Sequence, residues 1–347
     1  MVKVSVVIPV YNVAPYLREC LDSCVNQTLK DIEFICINDG STDNSLDILN
    51  EYAEKDSRFR VYSQQNQGQG IARNTAIEKA EGKYLAFIDP DDWVELNIYE
   101  RLYNYAEEKE AKVVKFNYTE YNDYSHKYKP TDFAKKVKQY FNYELTDGSE
   151  YCWRMLKDGC LRNLELHAWS FLYRTDFIKS NDIRFAPSKR GEDHLFTNGT
   201  TILADKIYYL ADYLYYYRCR SGSAVNSKNE DNFAVFDNIQ RMQEFLVKHS
   251  LYIELQDEFE QYAKALLIWN YEQTPKESIK RYQEMSRKYF SSDKEYRQFI
   301  FRVEHKRNFI ENLFSLKNHK ENGIKHKVIT ILGCEFHLKP RKVKEKV

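Results

Sequence analysis

The run Tyr84-Leu85-Ala86-Phe87-Ile88, followed by Asp89-Pro90-Asp91-Asp92-Trp93, decides how the rest of the chain is read. The continuous apolar segment 84–88 predicts a buried strand. Pro90 lacks the amide donor a continuing strand needs, so the strand stops at Asp89 and delivers three carboxylates to its end. Carboxylates so close together raise one another's pKa. A hard divalent cation, Mg²⁺ or Mn²⁺, relieves that repulsion through oxygen ligands. The same residues also suit an acidic turn capping a helix that begins near Glu95, so the surroundings must decide.

Upstream, the β-branched run 4–8 ends at Pro9, and Pro15 opens a helical pattern with Leu17, Leu21, Cys24 and Val25 on one face. The unit then repeats. A strand at 32–37 leads into the turn Asn38-Asp39-Gly40-Ser41-Thr42-Asp43 and a helix whose face is Leu46, Leu49 and Ala53. A short strand at 59–63, a Gln/Gly-rich loop at 64–70 and a helix over 71–80 with Gly82 as its C-cap complete the approach to Tyr84. Beyond Trp93 come a helix over 95–110 and a strand over 113–118. Such alternation predicts an α/β fold, a mostly parallel, Rossmann-like sheet flanked by helices. Ligands of these sheets bind beyond the carboxyl ends of the strands. Tyr11-Asn12, Asp39-Gly40 and Asp89-Pro90-Asp91 each follow a strand directly, so all three turns are expected on one rim.

Residues 118–148 are polar, Tyr/Lys-rich and weakly periodic, which reads as a variable loop or lid. A strand is expected over 166–173, a short helix over 175–180, and a further helix opening at Gly191-Glu192-Asp193-His194. Carboxylates are favoured in a first helical turn on structural grounds alone. Aromatic segments at 206–210 and 213–217 read as two strands, followed by Arg218 and Arg220. From Asn229 onward Phe233, Phe236, Ile239, Met242 and Leu246 recur at helical intervals, a C-terminal helical appendage with Pro275 opening one of its helices.

The composition bounds what the chain does. Its 347 residues, 43% hydrophobic, have room for two domains with a real core. Lys+Arg and Asp+Glu are equal at 52, so the charge balance gives no footprint for a nucleic-acid partner. Seven cysteines without a C-x-x-C pair fit a reducing compartment rather than a disulfide framework, and Cys20 and Cys24 read as small core residues. The eight histidines show no ligand spacing. With no signal-peptide pattern and no apolar run long enough to span a bilayer, a cytoplasmic location is expected. The end of the chain from Lys325 carries many Lys and Arg against two Glu. A basic tail of that kind suits peripheral contact with an anionic inner-membrane surface, and equally a solvated terminus.

The ordered blocks now resemble a known family, the inverting nucleotide-sugar glycosyltransferases of family 2, which have the GT-A fold. Val6-Val7-Ile8-Pro9-Val10-Tyr11-Asn12 is similar to the opening strand of that family, and 38–43 to its second turn. Asn66-Gln67-Gly68 with Ala72-Arg73-Asn74 resembles the third block, 87–93 the D-x-D block, and Glu192-Asp193 the pair that bears the base. The resemblance implies a GT-A domain over 1–225, with a nucleotide-sugar half (1–118) and an acceptor half (119–225), then a helical appendage (226–325) and the basic tail (326–347).

It also implies roles. Pro9, Tyr11, Asn12, Asp39, Arg73, Asp89, Arg218 and Arg220 are expected around the nucleotide sugar: Tyr11 stacking on a uracil-type base, Asp39 accepting its N–H, Asp89 near the ribose, Arg73 at phosphate or base, and Arg218 and Arg220 over the diphosphate. Asp91, with Asp89, is expected to hold a Mn²⁺ or Mg²⁺ ion, with Asp92 helping to orient. His167, Trp169 and Trp93 are assigned to the acceptor side, although Trp169 is equally readable as core. A cation would stabilise the departing diphosphate, while Asp193, with Glu192 second, takes the proton of the attacking hydroxyl.

The implied reaction moves a hexose or N-acetylhexosamine from a UDP-sugar to a hydroxyl of a glycan or lipid-linked acceptor, in bacterial surface polysaccharide synthesis (lipopolysaccharide or capsule). Two other classes compete. A nucleotidyltransferase would show a Gly-rich, basic turn after the first strand, where this chain has Tyr11-Asn12-Val13-Ala14. A non-catalytic nucleotide-sugar-binding protein would have no need of Asp193.

Overall fold

A computed structural model describes residues 1–156, 159–164, 167–220, 230–321, 324–331 and 334–338, with side chains described up to residue 304 except at 230 and 231. The chain forms two compact units, Met1–Ala265 and Leu266–Val347.

The first unit opens as the hydrophobic pattern dictates: β1 (Val4–Val10), α1 (Ala14–Val25), β2 (Ile32–Asn38), α2 (Ser45–Lys55), β3 (Phe59–Ser63), α3 (Gln69–Lys79) and β4 (Tyr84–Phe87). It continues through β5 (Trp93–Val94), α4 (Ile98–Glu108), β6 (Val113–Asn122), β7 (Lys127–Thr131), α5 (Phe133–Phe141), β8 (Glu150–Tyr151) and α6 (Cys160–Asn163). Then come β9 (Phe171–Arg174), α7 (Thr175–Ser180), α8 (Asp193–Leu203), β10 (Ile207–Cys219), α9 (Ala234–Lys248) and α10 (Gln256–Gln273), the last crossing into the second unit.

The strands form one sheet in the order β3-β2-β1-β4-β9-β6-β10-β5, with β7 on the β6 edge and β8 on β10. β1 runs parallel to β2 and β4, and β2 to β3, while β9 enters antiparallel between β4 and β6. Every residue of β1, β2 and β4 is buried, as strands covered on both faces require. The register pairs Val10 with Asn38 and Val7 with Phe87, so the carboxyl ends of these strands open on a common rim. Beneath that rim Phe87 meets Tyr173, Phe185 and Phe196 edge-on, with centroids 5.7, 5.3 and 5.3 Å away. Phe185 stacks on Phe196 at 4.1 Å. This aromatic block ties the strand that carries Asp89 to the helix that carries Asp193.

Four local expectations need correction. Residues 118–148 are not an irregular lid: β6 runs on to Asn122 and pairs with β7, and α5 follows, its N-terminus capped by Asp132. The hairpin is hidden from pattern reading because β7 is almost wholly solvent-facing and so has no apolar alternation. The strand expected over 166–173 begins only at Phe171; Leu166 lies outside the described residues, and 168–170 form a 3₁₀ turn. The two strands expected within 206–217 are one strand, β10, whose register with β6 shifts between Leu210 and Tyr215. Gly82 is not the cap of α3, which ends at Ala80; a Cβ there would lie 2.5 Å from the Ser5 amide, so the glycine permits close contact with β1.

The second unit contains α11 (Ile279–Ser286), α12 (Asp293–Leu313) and a three-stranded antiparallel sheet, β11 (Phe314–Glu321), β12 (Ile324–Ile331) and β13 (Cys334–Leu338). Strands therefore occupy part of the region expected to be a helical appendage and tail, while 339–347 lie outside the described residues. Among the described residues no helix is long and apolar enough to cross a membrane.

Candidate active site

Three turns meet on the rim as the strand pattern requires. At the end of β1, Asn12 adopts a left-handed backbone (φ 47°) and its Oδ1 accepts the Thr42 amide at 2.7 Å, binding the first turn to the second. Pro9 lies within β1, and Tyr11 is left half-exposed (50%) beside it. Asp39 is buried and shapes the Gln/Gly loop: its carboxylate accepts Gln64 Nε2 at 2.8 Å and the amides of Gln67 and Gly68 at 3.0 and 2.8 Å. Gly68, at φ +91°, then starts α3 in a backbone conformation that a side chain would strain.

Arg73 is the meeting point. Nearly inaccessible on α3, it reaches Asp89 Oδ1 at 2.7 Å and Glu192 Oε1 at 2.9 Å, with its guanidinium 5.0 Å from the Phe185 ring. Burial works against its charge, and Asp89, Glu192 and Asp193 more than restore it. Two acidic residues 103 positions apart in sequence, Asp89 and Glu192, are thus clasped by one arginine. Gln69 adds a 3.0 Å hydrogen bond to Asp89 Oδ1.

The carboxylates are not alike. Burial raises the pKa of Asp89, against which Arg73 works. Burial and then Asp193 raise that of Glu192, again with Arg73 opposing. Asp193, in the first turn of α8, is pushed up to about 6, chiefly by burial, with Arg73 opposing. Asp92 lies deepest: Tyr215 donates to its Oδ2 at 2.6 Å and the Arg218 amide to its Oδ1 at 2.8 Å, and burial raises its pKa well above normal. Asp91 points the other way, its side chain 23% exposed and paired with Arg220 at 2.8 Å.

The model for "Glycosyl transferase family 2" matches residues 5–162. Glycosyltransferase GlyG of Streptococcus pneumoniae is 33% identical over 67% of this chain and 75% of its own length. The chain belongs to glycosyl transferase family 2. GlyA of the same organism is 37% identical over 64% of this chain, which spans only 31% of that longer protein. In fold, this glycosyltransferase is similar to the crystal structure of Staphylococcus aureus TarS with UDP-GlcNAc, at a TM-score of 0.59, 21% identity, and coverage of 97% of this chain and 99% of that one.

The geometry revises several residue roles expected of this glycosyltransferase. Arg218 is turned inward: Nε donates to the Asp91 carbonyl at 2.8 Å, Nη1 to Asp123 at 2.7 Å and Nη2 to Glu19, while Trp93 lies under the guanidinium at 4.7 Å. It secures the acidic turn and does not present a free guanidinium to a phosphate. Arg220, stacked over Tyr16 at 4.7 Å, stays beside Asp91. Trp169 is core, stacked on Tyr215 at 4.3 Å, with His167 stacked in turn on Trp169 at 4.9 Å. Trp93 stacks on Tyr216 at 5.2 Å, with the Arg218 guanidinium over its ring.

Among the described residues no cluster of three or more His, Cys, Asp or Glu is arranged to hold a metal ion. Asp91 and Asp89 lie in one turn, each already paired with an arginine, Asp91 with Arg220 and Asp89 with Arg73. Sequence reading missed Gln69, Phe185 and Tyr215. Gln69 had a signal, its place in the polar loop beside Gly68, whereas the other two read only as apolar filler.

Proposed function

We propose that the protein transfers a hexose or N-acetylhexosamine from a UDP-sugar to a hydroxyl with inversion of the anomeric carbon. The observation that carries this reading is the difference between Glu192 and Asp193. Arg73 pairs with Glu192 at 2.9 Å, while Asp193 beside it has its pKa raised to about 6. A proton acceptor near the operating pH is what a general base requires. Asp193 is therefore the base and Glu192 the residue that steadies Arg73.

On the donor side, Tyr11 offers an exposed ring for the base. Asp39 and the loop it organises line the nucleotide, and Asp89 stands beside Arg73 near the ribose. Asp91, seconded by Asp89, would hold Mn²⁺ or Mg²⁺, which supplies Lewis-acid stabilisation of charge on the departing diphosphate. Arg220, already at Asp91, is the cation placed to follow the phosphate charge. TarS carries UDP-GlcNAc in its crystal structure, which supports a UDP-sugar donor here.

The acceptor is proposed to be a glycan or lipid-linked saccharide of the bacterial surface. A related poly(ribitol-phosphate) beta-glucosyltransferase of Bacillus spizizenii, 34% identical over 62% of this chain, supports that setting. The basic end of the chain would bring the enzyme to the cytoplasmic face of the membrane, and deletion of residues 339–347 should weaken its binding to anionic vesicles.

Incubation with a panel of UDP-sugars and Mn²⁺, followed by assay of UDP, tests the central claim. Slow release by donor hydrolysis from one member is expected. Formation of UDP-sugar from sugar phosphate and UTP would instead reveal a nucleotidyltransferase, and tight binding without turnover of any donor a non-catalytic protein.

A further inference from the structure

The turn that carries Glu192 and Asp193 is held from two sides. On its inner side α3 approaches closely: a Cβ on Gly70 would lie 2.4 Å from the Ala186 carbonyl and 3.0 Å from Glu192 Cβ, and Arg73 follows one helical turn later. The other hold comes from α9, which lies outside the blocks that carry the family resemblance. Asn238, buried on α9, donates Nδ2 to the carbonyl of Arg190 at 2.8 Å and of Gly191 at 3.3 Å. Those are the two residues immediately before Glu192.

Three further observations show that this contact is built rather than incidental. Gly191 has φ +67°, and a Cβ there would sit 3.3 Å from Asn238 Nδ2, so the turn is shaped around the amide. Gly199 on α8 leaves room for Phe245 of α9, whose Cζ would lie 2.9 Å from an added Cβ. The two helices are thereby drawn together along the face that carries Asn238 and Phe245. Finally, His194 Nδ1 lies 3.3 Å from the Tyr262 hydroxyl of α10, a second tie to the residue directly after Asp193.

We infer that Asn238 is a positioning residue for the base: its side-chain amide fixes the carbonyls of Arg190 and Gly191 and so sets where the carboxylate of Asp193 stands relative to the donor. This rests on the reading of Asp193 as base. The physical argument is that a carboxylate in a first helical turn is only as well placed as the backbone entering that turn. An entry with a left-handed glycine has little stiffness of its own. Reaction rates are sensitive to misplacement on the scale of an ångström. A buried amide donating to two main-chain carbonyls supplies the missing stiffness, and its removal leaves those acceptors without that donor.

The test uses the full chain, with UDP-N-acetylglucosamine and UDP-glucose plus Mn²⁺ as probes. In N238L, UDP release should slow about tenfold, as expected for a displaced catalytic group. The affinity for UDP with Mn²⁺, measured by calorimetry, should stay within about twofold because uniform binding is untouched. Amide hydrogen exchange over 189–194 should accelerate relative to α3 and β1, which act as internal standards. N238A, which removes both donors without adding bulk or charge, should behave alike and covers the case in which N238L folds poorly. Exchange over 189–194 at the wild-type rate in both variants would overturn the inference whatever the turnover. The reading it rests on fails separately: if D193N releases UDP at the wild-type rate, Asp193 is not the base, and the exchange result alone then decides whether Asn238 holds the turn.

Discussion

The molecule has two acidic turns, Asp89–Asp92 and Glu192–Asp193, made of the same chemistry and put to different uses by their neighbours. In the first, basic and hydroxyl partners are plentiful: Arg73 takes Asp89, Arg220 takes Asp91, and Tyr215 with the Arg218 amide takes Asp92. In the second, Arg73 reaches only Glu192, and burial pushes the Asp193 carboxyl up to about 6. Under the proposed function the first turn serves a cation and the second a proton acceptor, although burial raises the pKa of Asp89 and Asp92 as well as that of Asp193. Residue type does not assign the role; the count and placement of partners does.

The largest expected effect separates the two turns directly. Asp193→Asn should lower UDP release by about two to four orders of magnitude, the usual worth of a general base. Affinity for UDP with Mn²⁺ should be retained, since the cation turn is untouched. Because burial already disfavours charge at this position, the amide should leave the thermal midpoint at pH 7 unchanged or higher. Normal turnover in this variant would erase the distinction between the turns. Next in size, Arg73→Met removes the group the turns share. With Asp89 and Glu192 both left without their cation, it should cost roughly 3–5 kcal/mol of stability in a denaturant titration. A cost near zero would mean that the arginine does not join them.

The comparison also shows what was legible beforehand. β1, β2 and β4 are buried on both faces, so their sequences are apolar without interruption, and their ends fix Tyr11, Asp39 and Asp89 on the rim. The convergence of the three strand-end turns was implied by that topology. The finer division of labour was not, because it depends on partners far along the chain: Tyr215 and Asp92 are 123 positions apart. The inward turn of Arg218 is hidden for the same reason, since a strand-end arginine reads alike whether it faces Asp123 and Glu19 or solvent. The β6–β7 hairpin left no pattern because most of β7 faces water, where side-chain alternation carries no constraint.

A smaller effect sharpens the account of the first turn. Asp91→Ala removes one of the two carboxylates proposed to hold a cation and should weaken Mn²⁺-dependent UDP binding by about tenfold, leaving binding without metal little changed. It also frees Arg220, whose charge then partly replaces the cation beside the diphosphate. The loss should accordingly be larger for Mn²⁺ dependence than for UDP affinity at low salt. Equal Mn²⁺ stimulation in the variant and the parent would remove Asp91 from the metal site.

The last effect is about tenfold for each pH unit, and it follows from the sign of the Asp193 shift. A base must be ionised to act, so the rate of UDP release should climb with pH and level off above about 6, where the Asp193 carboxyl loses its proton. Stability runs the other way. A carboxyl whose folded pKa lies above its ordinary 3.8 binds its proton more tightly in the folded state, so its contribution is complete below that value and is lost as pH rises through about 6. His194, the neighbouring titratable group, does not carry the rate limb, because burial lowers its pKa to about 4; its depressed pKa gives a stability slope of opposite sign over this range, which Asp193→Asn leaves in place. Asp193→Asn should therefore remove the acid limb of the residual rate and, with it, this group's share of the stability slope between pH 4 and 6. An unshifted limb in that variant would assign the titration to one of the two carboxyls that pair with Arg73, Asp89 or Glu192, both of which burial also raises.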